Sequence, residues 1–221
     1  MEFRVFLPWS SSFSSLVTSS VSDIEQRVDS YVVTPEKIGI KVRNLKKLEM
    51  KVRTNIDESS GIETYVKVKF GKKGVGRYIA DILQTLANMG ISDHEEYKKC
   101  LDNVKYIEVD KKREIITVGE CTIEVCVVRV GDVDWLSIAV EGYDRNAIQN
   151  VLKESTHHRA IQIKQLLKES LQHISSAFDE STLFIPFIGG YPRFIRHISS
   201  LSTYEEKSRL LASYCSFVGS L

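Results

Sequence analysis

The sequence predicts an α+β fold: an antiparallel, eight-stranded β-barrel with helices around it and a helical C-terminal extension. Apolar and polar residues alternate in short segments over most of positions 2–140, the two-residue period of half-buried strands. Turn residues punctuate these segments at hairpin distances. From position 145 the period changes to three and four, that of amphipathic helices.

Each element has its own signal. Segment 2–7 places Phe3, Val5 and Leu7 on one face, and Pro8 ends it. Eight serines among residues 10–22 mark a loop with a short helix near 13–17; a phosphate-binding loop would show glycines instead. Segments 28–33, 39–42, 48–53 and 62–70 follow as an antiparallel meander, with a turn at Asn44 and Lys46 and a longer loop over 55–61. Gly71, Gly74 and Gly76 break the sheet. Ile79, Ile82, Leu83 and Leu86 then recur at helical spacing until Gly90 stops them. Segments 104–109, 114–118, 122–130 and 135–140 are further strands, with turns at Asp110-Lys111, Gly119 and Gly131-Asp132. Eight strands is the number that closes a small barrel, with alternate residues facing its lumen.

Three helical patterns close the chain, at 145–153, 158–178 and 204–217; the second carries Ala160, Ile163, Leu167, Leu171, Ile174 and Phe178 on one face. Between them, Pro186, Gly189-Gly190 and Tyr191-Pro192, among Phe184, Ile185, Phe187 and Ile188, read as an ordered loop packing the terminal helices. No internal repeat or long linker interrupts the chain. The parsing is a barrel over residues 1–152 and a helical extension over 153–221 packed on the same domain.

Composition excludes several classes. Hydrophobic residues make up 43% of the 221, and 30 basic against 29 acidic residues leave a net charge of +1, neither disordered nor a bulk-charge nucleic-acid binder. The longest nearly apolar stretch, 183–191, is too short to span a membrane. Glu2, Arg4 and the interruption at 8–15 argue against a signal peptide. Cys100, Cys121, Cys126 and Cys215 match no zinc or redox spacing and read as free thiols of a cytoplasmic protein.

The informative pattern is charge on alternate strand positions. Side chains two apart share a face. Lys41 and Arg43 oppose Ile40 and Val42; Glu49, Lys51 and Arg53 oppose Leu48, Met50 and Val52; Glu63, Tyr65, Lys67 and Lys69 oppose Thr64, Val66, Val68 and Phe70; Glu2 and Arg4 oppose Phe3, Val5 and Leu7. In one strand this is the pattern of a solvated face over a core. Four strands carry it here, nearly every position is Lys, Arg or Glu, and three of the four mix both signs. A barrel interior that holds an anion needs such cations, and carboxylates among them can place a divalent metal.

These residues resemble the CYTH superfamily, the triphosphate tunnel metalloenzymes, over about residues 2–152. VDSYVV at 28–33 is similar to the family's D-T-Y-Y-D strand at Asp29 and Tyr31; GIKVRN, with Lys41 and Arg43, to its L-R-x-R strand; LEMKVR at 48–53 to its T-x-K strand, with Lys51 as the lysine. GIETYVKVKF matches R-x-E-x-E at Glu63, YIADILQTLANMGI the helix ending in L-x-x-L-G, VDKKREI the V-x-K-x-R strand, and WLSIAVEG the last strand, with Glu141 as its glutamate. The chain departs at the defining E-x-E-x-K motif. It reads Glu2-Phe3-Arg4-Val5-Phe6, so a cation stands where the second metal-facing glutamate belongs.

The resemblance implies an eight-stranded tunnel that binds a triphosphate or polyphosphate compound, with Mg or Mn as cofactor. Arg4, Lys41, Arg43, Lys51, Arg53, Lys67 and Lys69, with Arg113 and Arg129, would bind the ligand. Glu2, Glu49, Glu63, Glu124 and Glu141 would place metal. If the chain is an enzyme, it is a metal-dependent triphosphatase with Lys51 and Glu141 as catalytic residues. Two other readings stand beside it. One is a non-catalytic scaffold that meets a protein partner through its C-terminal helices. The other is an RNA-binding surface, disfavoured because only Tyr65 interleaves an aromatic among the cations. His157-His158 are adjacent on a helix and cannot chelate together, and Trp135 reads as a barrel-wall residue. The expected register puts Lys41, Arg43, Glu49, Lys51, Arg53, Glu63, Lys67 and Lys69 in one cavity, with Val42, Met50, Val52, Val66 and Val68 beneath helices.

Overall fold

The computed structural model describes residues 1–9, 13, 24–35, 37–44, 46–71, 75–91, 94–154, 156–177 and 187–199. The loop expected over 10–22 apart from Phe13, the helix expected over 204–217, and Gly74, Phe178, Phe184, Ile185, Pro186 and Cys215 lie outside the described residues, as do the side chains of Leu171 and Ile174.

Strands β1 (Glu2–Pro8), β2 (Glu25–Val32), β3 (Ile38–Arg43), β4 (Lys47–Asp57), β5 (Ile62–Lys69), β6 (Tyr106–Val118), β7 (Cys121–Val130) and β8 (Val133–Glu141) form a closed antiparallel barrel of the α+β class. Neighbours run β5-β4-β3-β2-β6-β7-β8-β1, and β1 returns to β5 through Glu2 opposite Glu63. The described helices are α1 (Ile79–Asn88), entered by a short 3-10 turn at Val75–Tyr78, α2 (His94–Asp102), α3 (Arg145–Lys153), α4 (His158–Ala177) and α5 (Tyr191–Ser199). None of them is long and apolar enough to cross a membrane. Cys100, Cys121 and Cys126 are free.

Alternation along the strands separates three apolar clusters. Phe3, Val5 and Leu7 of β1, with Ile123, Val125, Ile138 and Val140, pack outward beneath α3 and α4. Asp144 caps α3 by accepting a hydrogen bond from the Ala147 amide. On the opposite wall Ile38, Ile40, Leu48, Met50 and Val52 pack beneath α1 and α2. The third cluster lies inside the barrel, where Phe6, Tyr31, Val128 and Trp135 meet Phe187, Tyr191, Phe194 and Ile195. Phe194 stacks on Phe6 at 3.8 Å between ring centroids and meets Trp135 edge-on at 5.1 Å.

The interior cluster is built by chain that sequence reading assigned to a loop. A two-residue strand, β9 (Phe187–Ile188), pairs with β1 at Val5 and Phe6, where β5 no longer does. The Gly189 amide donates to the Arg4 carbonyl at 2.9 Å, and the chain turns through the gap into the lumen as α5. Pro192 in the first turn suits a helix start, because its missing N–H has no partner to lose there. A Cβ at Gly190 would overlap the Tyr65 hydroxyl, and one at Gly39 of β3 would overlap Pro192 Cγ. Both glycines therefore serve close approach.

Three further expectations are corrected. Segments 104–109 and 114–118 are one strand, β6, and the turn at Asp110-Lys111 does not form; charged residues there alternate across a continuous ladder. Helix α2 buries only Tyr97 and Leu101, too short an apolar pattern to give a helical period in the sequence. Val66 is 41% exposed, because α1 and α2 cover the barrel wall only as far as Val68 and Phe70.

Overpacking at the plug sets a first test. Gly39→Ala should destabilise by about 1–3 kcal/mol in urea unfolding, and Pro192→Ala in the same chain should recover part of that loss. Gly76→Ala, with open space around its Cβ, should leave the midpoint unchanged or raised.

Candidate functional site

The pleat that buries Phe3, Val5 and Leu7 outside turns Glu2, Arg4 and Phe6 inward. Inward side chains are apolar in the half of the lumen that α5 fills and charged in the other half. The charged half borders a cavity of about 300 Å³, at the small end for ligand pockets. Ten of the expected residues line it: Arg4, Lys41, Arg43, Glu49, Lys51, Lys67, Lys69, Arg113, Glu124 and Glu141. Arg27 of β2 and Lys111 of β6 complete the charged lining, giving nine cations from six strands against three carboxylates.

Arg4, like Lys111, is almost fully enclosed, with 3% of its surface exposed. Its Nε donates to Glu2 Oε1 at 2.7 Å, and one terminal nitrogen donates to Glu124 Oε1 at 2.7 Å and Ser137 Oγ at 2.8 Å. The other lies 3.6 Å from Glu141 Oε1. Register explains the convergence. Arg4, Ala139 and Glu124 are cross-strand partners in one row over β1, β8 and β7, and the small Ala139 leaves the guanidinium room to reach Glu124. Glu2 is bound from its other side by Lys51 Nζ at 2.5 Å, and Glu124 by Arg113 at 2.8 Å. Burial works against the charge on Glu2 and Glu124, but Lys51 and Arg4 for the first and Arg4 and Lys111 for the second more than offset it. Both carboxyls sit well below the usual range.

A second knot centres on Asp29, fully buried and flanked by Arg27 at 3.2 Å, Lys41 at 3.1 Å and Lys111 at 3.0 Å. One carboxylate among three cations leaves positive charge uncompensated. Arginine does not give up its proton, so the lysines yield. Burial, with Lys41 close by, pushes Lys111 down to about 7. Burial, against the pull of Asp29, pushes Lys41 down to about 8. The Lys111 ammonium also lies 3.4 Å from the centroid of the Tyr191 ring of α5 and donates to the Tyr31 hydroxyl.

Glu63 and Arg53 face the lumen but do not border the cavity. Glu63 accepts from Arg53 at 2.9 Å, the Tyr65 hydroxyl at 2.5 Å and the Gly190 amide at 2.7 Å, and Arg193 approaches at 3.3 Å. These residues pin the plug at its point of entry. Glu49 pairs with Arg43 at 2.9 Å, and Glu141 with Lys67 at 3.3 Å. All five glutamates expected to place metal are thus ion-paired, and among the described residues no group of three His, Cys, Asp or Glu is arranged to hold a metal ion.

Arg129 is not brought to the site. Glu124, Cys126 and Val128 take the inward positions of β7, so Arg129, an odd number of residues from Glu124, points outward. It is 59% exposed and bonds Asp134 at 2.7 and 2.8 Å. Lys111 belongs to a charge run with the character of a turn, and the unbroken β6 carries it to the cavity beside Arg113. Arg27 carried a usable signal, lying two residues before Asp29 and so on its face. His157 and His158 are exposed.

No family model matches the chain, and no curated protein sequence matches it. Among solved structures it is similar to a conserved hypothetical protein of Pyrococcus furiosus, at 16% identity over 76% of this chain and 91% of that one, with a TM-score of 0.40. It is also similar to a Bacillus halodurans protein provisionally named an adenylate cyclase, at 11% identity, 81% and 98% coverage and a TM-score of 0.48. A Pyrococcus horikoshii protein aligns at 18% identity over 72% of this chain and 90% of that one, with a TM-score of 0.39. Likenesses this distant say nothing of the residues inside the barrel.

The lysines near Asp29 set a pH dependence. Their folded pKa values lie below the value of about 10.4 for an unfolded lysine, so the unfolded chain binds more protons above pH 7 and stability rises with pH. Above about pH 9 unfolded thiols ionise while burial keeps the Cys126 thiol up at about 12, which acts in the opposite direction. The unfolding midpoint should therefore rise between about pH 7 and 9, and Lys111→Met should flatten that rise. Below about pH 4 the depressed carboxyls Glu2, Asp29 and Glu124 should make stability fall. Thermal unfolding across this range checks both limbs.

Proposed function

We propose that the open half of the barrel binds a compact polyanion of the triphosphate or polyphosphate class. The observation that supports this best is the convergence of nine cationic side chains, from six strands, on one small cavity with three carboxylates. Such an excess of like charge in a confined space is costly unless an anion completes it. Buried donors point the same way. Nε and one terminal nitrogen of Arg27, and Nε of Arg43, lack a hydrogen-bond partner among the described residues. A ligand rich in acceptor oxygens would supply one. The resemblance of the strand motifs to triphosphate tunnel proteins agrees with this chemistry.

The mouth, with Arg43, Glu49, Lys67 and Lys69, admits the ligand, and α5 closes the other end. A chain of phosphates would thread inward from the more exposed Lys67 and Lys69 toward Lys51, Lys111 and Arg4. Binding rather than turnover is the function this geometry favours. Each glutamate around the cavity is held by a cation, and none is left to activate water. A scaffold acting through the C-terminal helices has no observation of its own in its favour.

Calorimetry with tripolyphosphate and orthophosphate is the test. Tripolyphosphate should bind more tightly, because it engages more cations at once, and binding should persist near physiological salt. Lys51→Ala and Arg43→Ala should each weaken it by about 1–3 kcal/mol, the scale of a lost charged hydrogen bond. Arg129→Ala should change nothing. Absence of heat with either anion would overturn the reading.

A further inference from the structure

We infer that the Arg4 guanidinium takes the place a divalent cation would fill, so that the barrel binds its anion without metal. This rests on the binding reading above and goes beyond it. The carboxylates that would be metal donors, Glu2, Glu124 and Glu141, come from three neighbouring strands and converge on one point, and that point is Arg4. The guanidinium is held on its Nε side by Glu2 and on one terminal nitrogen by Glu124 and Ser137, and its remaining nitrogen is only loosely approached by Glu141. Arg4 also lines the cavity, so the guanidinium lies between these carboxylates and the anion space.

The residues do not fit a metal. A divalent ion entering here would have to expel a buried guanidinium from three carboxylates. It would then stand beside Lys51 on Glu2, Arg113 on Glu124 and Lys67 on Glu141. Magnesium in phosphate sites is held by one or two carboxylates together with water and phosphate oxygens, and here each of those carboxylates already carries a cation that would repel it. A fixed guanidinium offers one unit of positive charge rather than two, without an ion, and adds directed hydrogen bonds that suit phosphate oxygens.

The ligand is then the free polyanion rather than its magnesium complex. Magnesium lowers the charge of tripolyphosphate and occupies its oxygens, so it competes with the protein for the ligand.

Two measurements on the wild-type chain decide the matter. The first is calorimetry with tripolyphosphate in EDTA and again in excess magnesium. The second is manganese binding to the protein alone, by electron paramagnetic resonance. Full affinity in EDTA, a several-fold loss in magnesium and no bound manganese are expected. Arg4→Glu should gain manganese binding; where thermal unfolding shows that variant misfolded, Arg4→Gln takes its place with a smaller gain. Binding that appears only with magnesium or manganese, or wild-type manganese binding lost in Glu141→Gln, overturns metal independence and leaves the polyanion reading standing. No binding of tripolyphosphate under either condition overturns the polyanion reading, and metal-free binding falls with it.

Discussion

Like charges cannot be crowded into a closed barrel unless opposite charges hold them apart and in place, and the charged half of this lumen is arranged by that constraint. Arg4, Asp29 and Glu63 mark the centres of three ion-pair knots; the first two join strands that are not all neighbours, and the third ties β4 and β5 to α5. A single exposed ion pair contributes little. These knots are enclosed, and their members touch several opposite charges each, so removing one partner would strand a buried charge. The knots are also where the barrel is most in need of support. Glu2 and Glu63 face one another at the only pairing between β1 and β5, and Lys51, Arg4 and Arg53 relieve their repulsion.

The plug answers a second need. An eight-stranded barrel has room for side chains to fill, and a lumen charged from end to end would have no packed interior. Phe187, Tyr191, Phe194 and Ile195 supply an apolar floor against Phe6, Tyr31 and Trp135. That floor reaches the charged half directly: the Tyr191 ring lies against both Lys111 and Arg4, giving desolvated cations an aromatic face. Core and site therefore share residues, and the cavity is bordered by Tyr191 and Pro192 at the start of α5.

Fixed positive charge also separates binding from hydrolysis. Metal-dependent phosphoryl chemistry needs carboxylates free to hold an ion and orient water. Here the carboxylates orient guanidinium and ammonium groups instead. The same residue types that suggest an enzyme in the sequence are paired with one another in the folded chain.

Much of the wall was legible in the sequence, because a two-residue period leaves only two choices of face. Lys41, Arg43, Glu49, Lys51, Lys67 and Lys69 shared a parity on three strands, and one register brings them to one cavity. Parity also argued against Arg129 once Glu124 faced inward, and for Arg27 beside Asp29. The rest depended on distance along the chain. That Lys111 lies within an unbroken strand is decided by partners on β2 and β7, which outweigh the turn character of Asp110-Lys111. The segment from Phe187 to Ser199 is apolar whether it packs on a barrel or within one. Only the gap between β1 and β5, with Gly39 and Gly190 leaving space, takes it inside. By itself the sequence determined the strands and which residues share a face, since both are set by neighbours within a few positions. Which acid holds which base was decided by the tertiary structure, because those partners lie as far apart in the chain as Arg4 and Glu141.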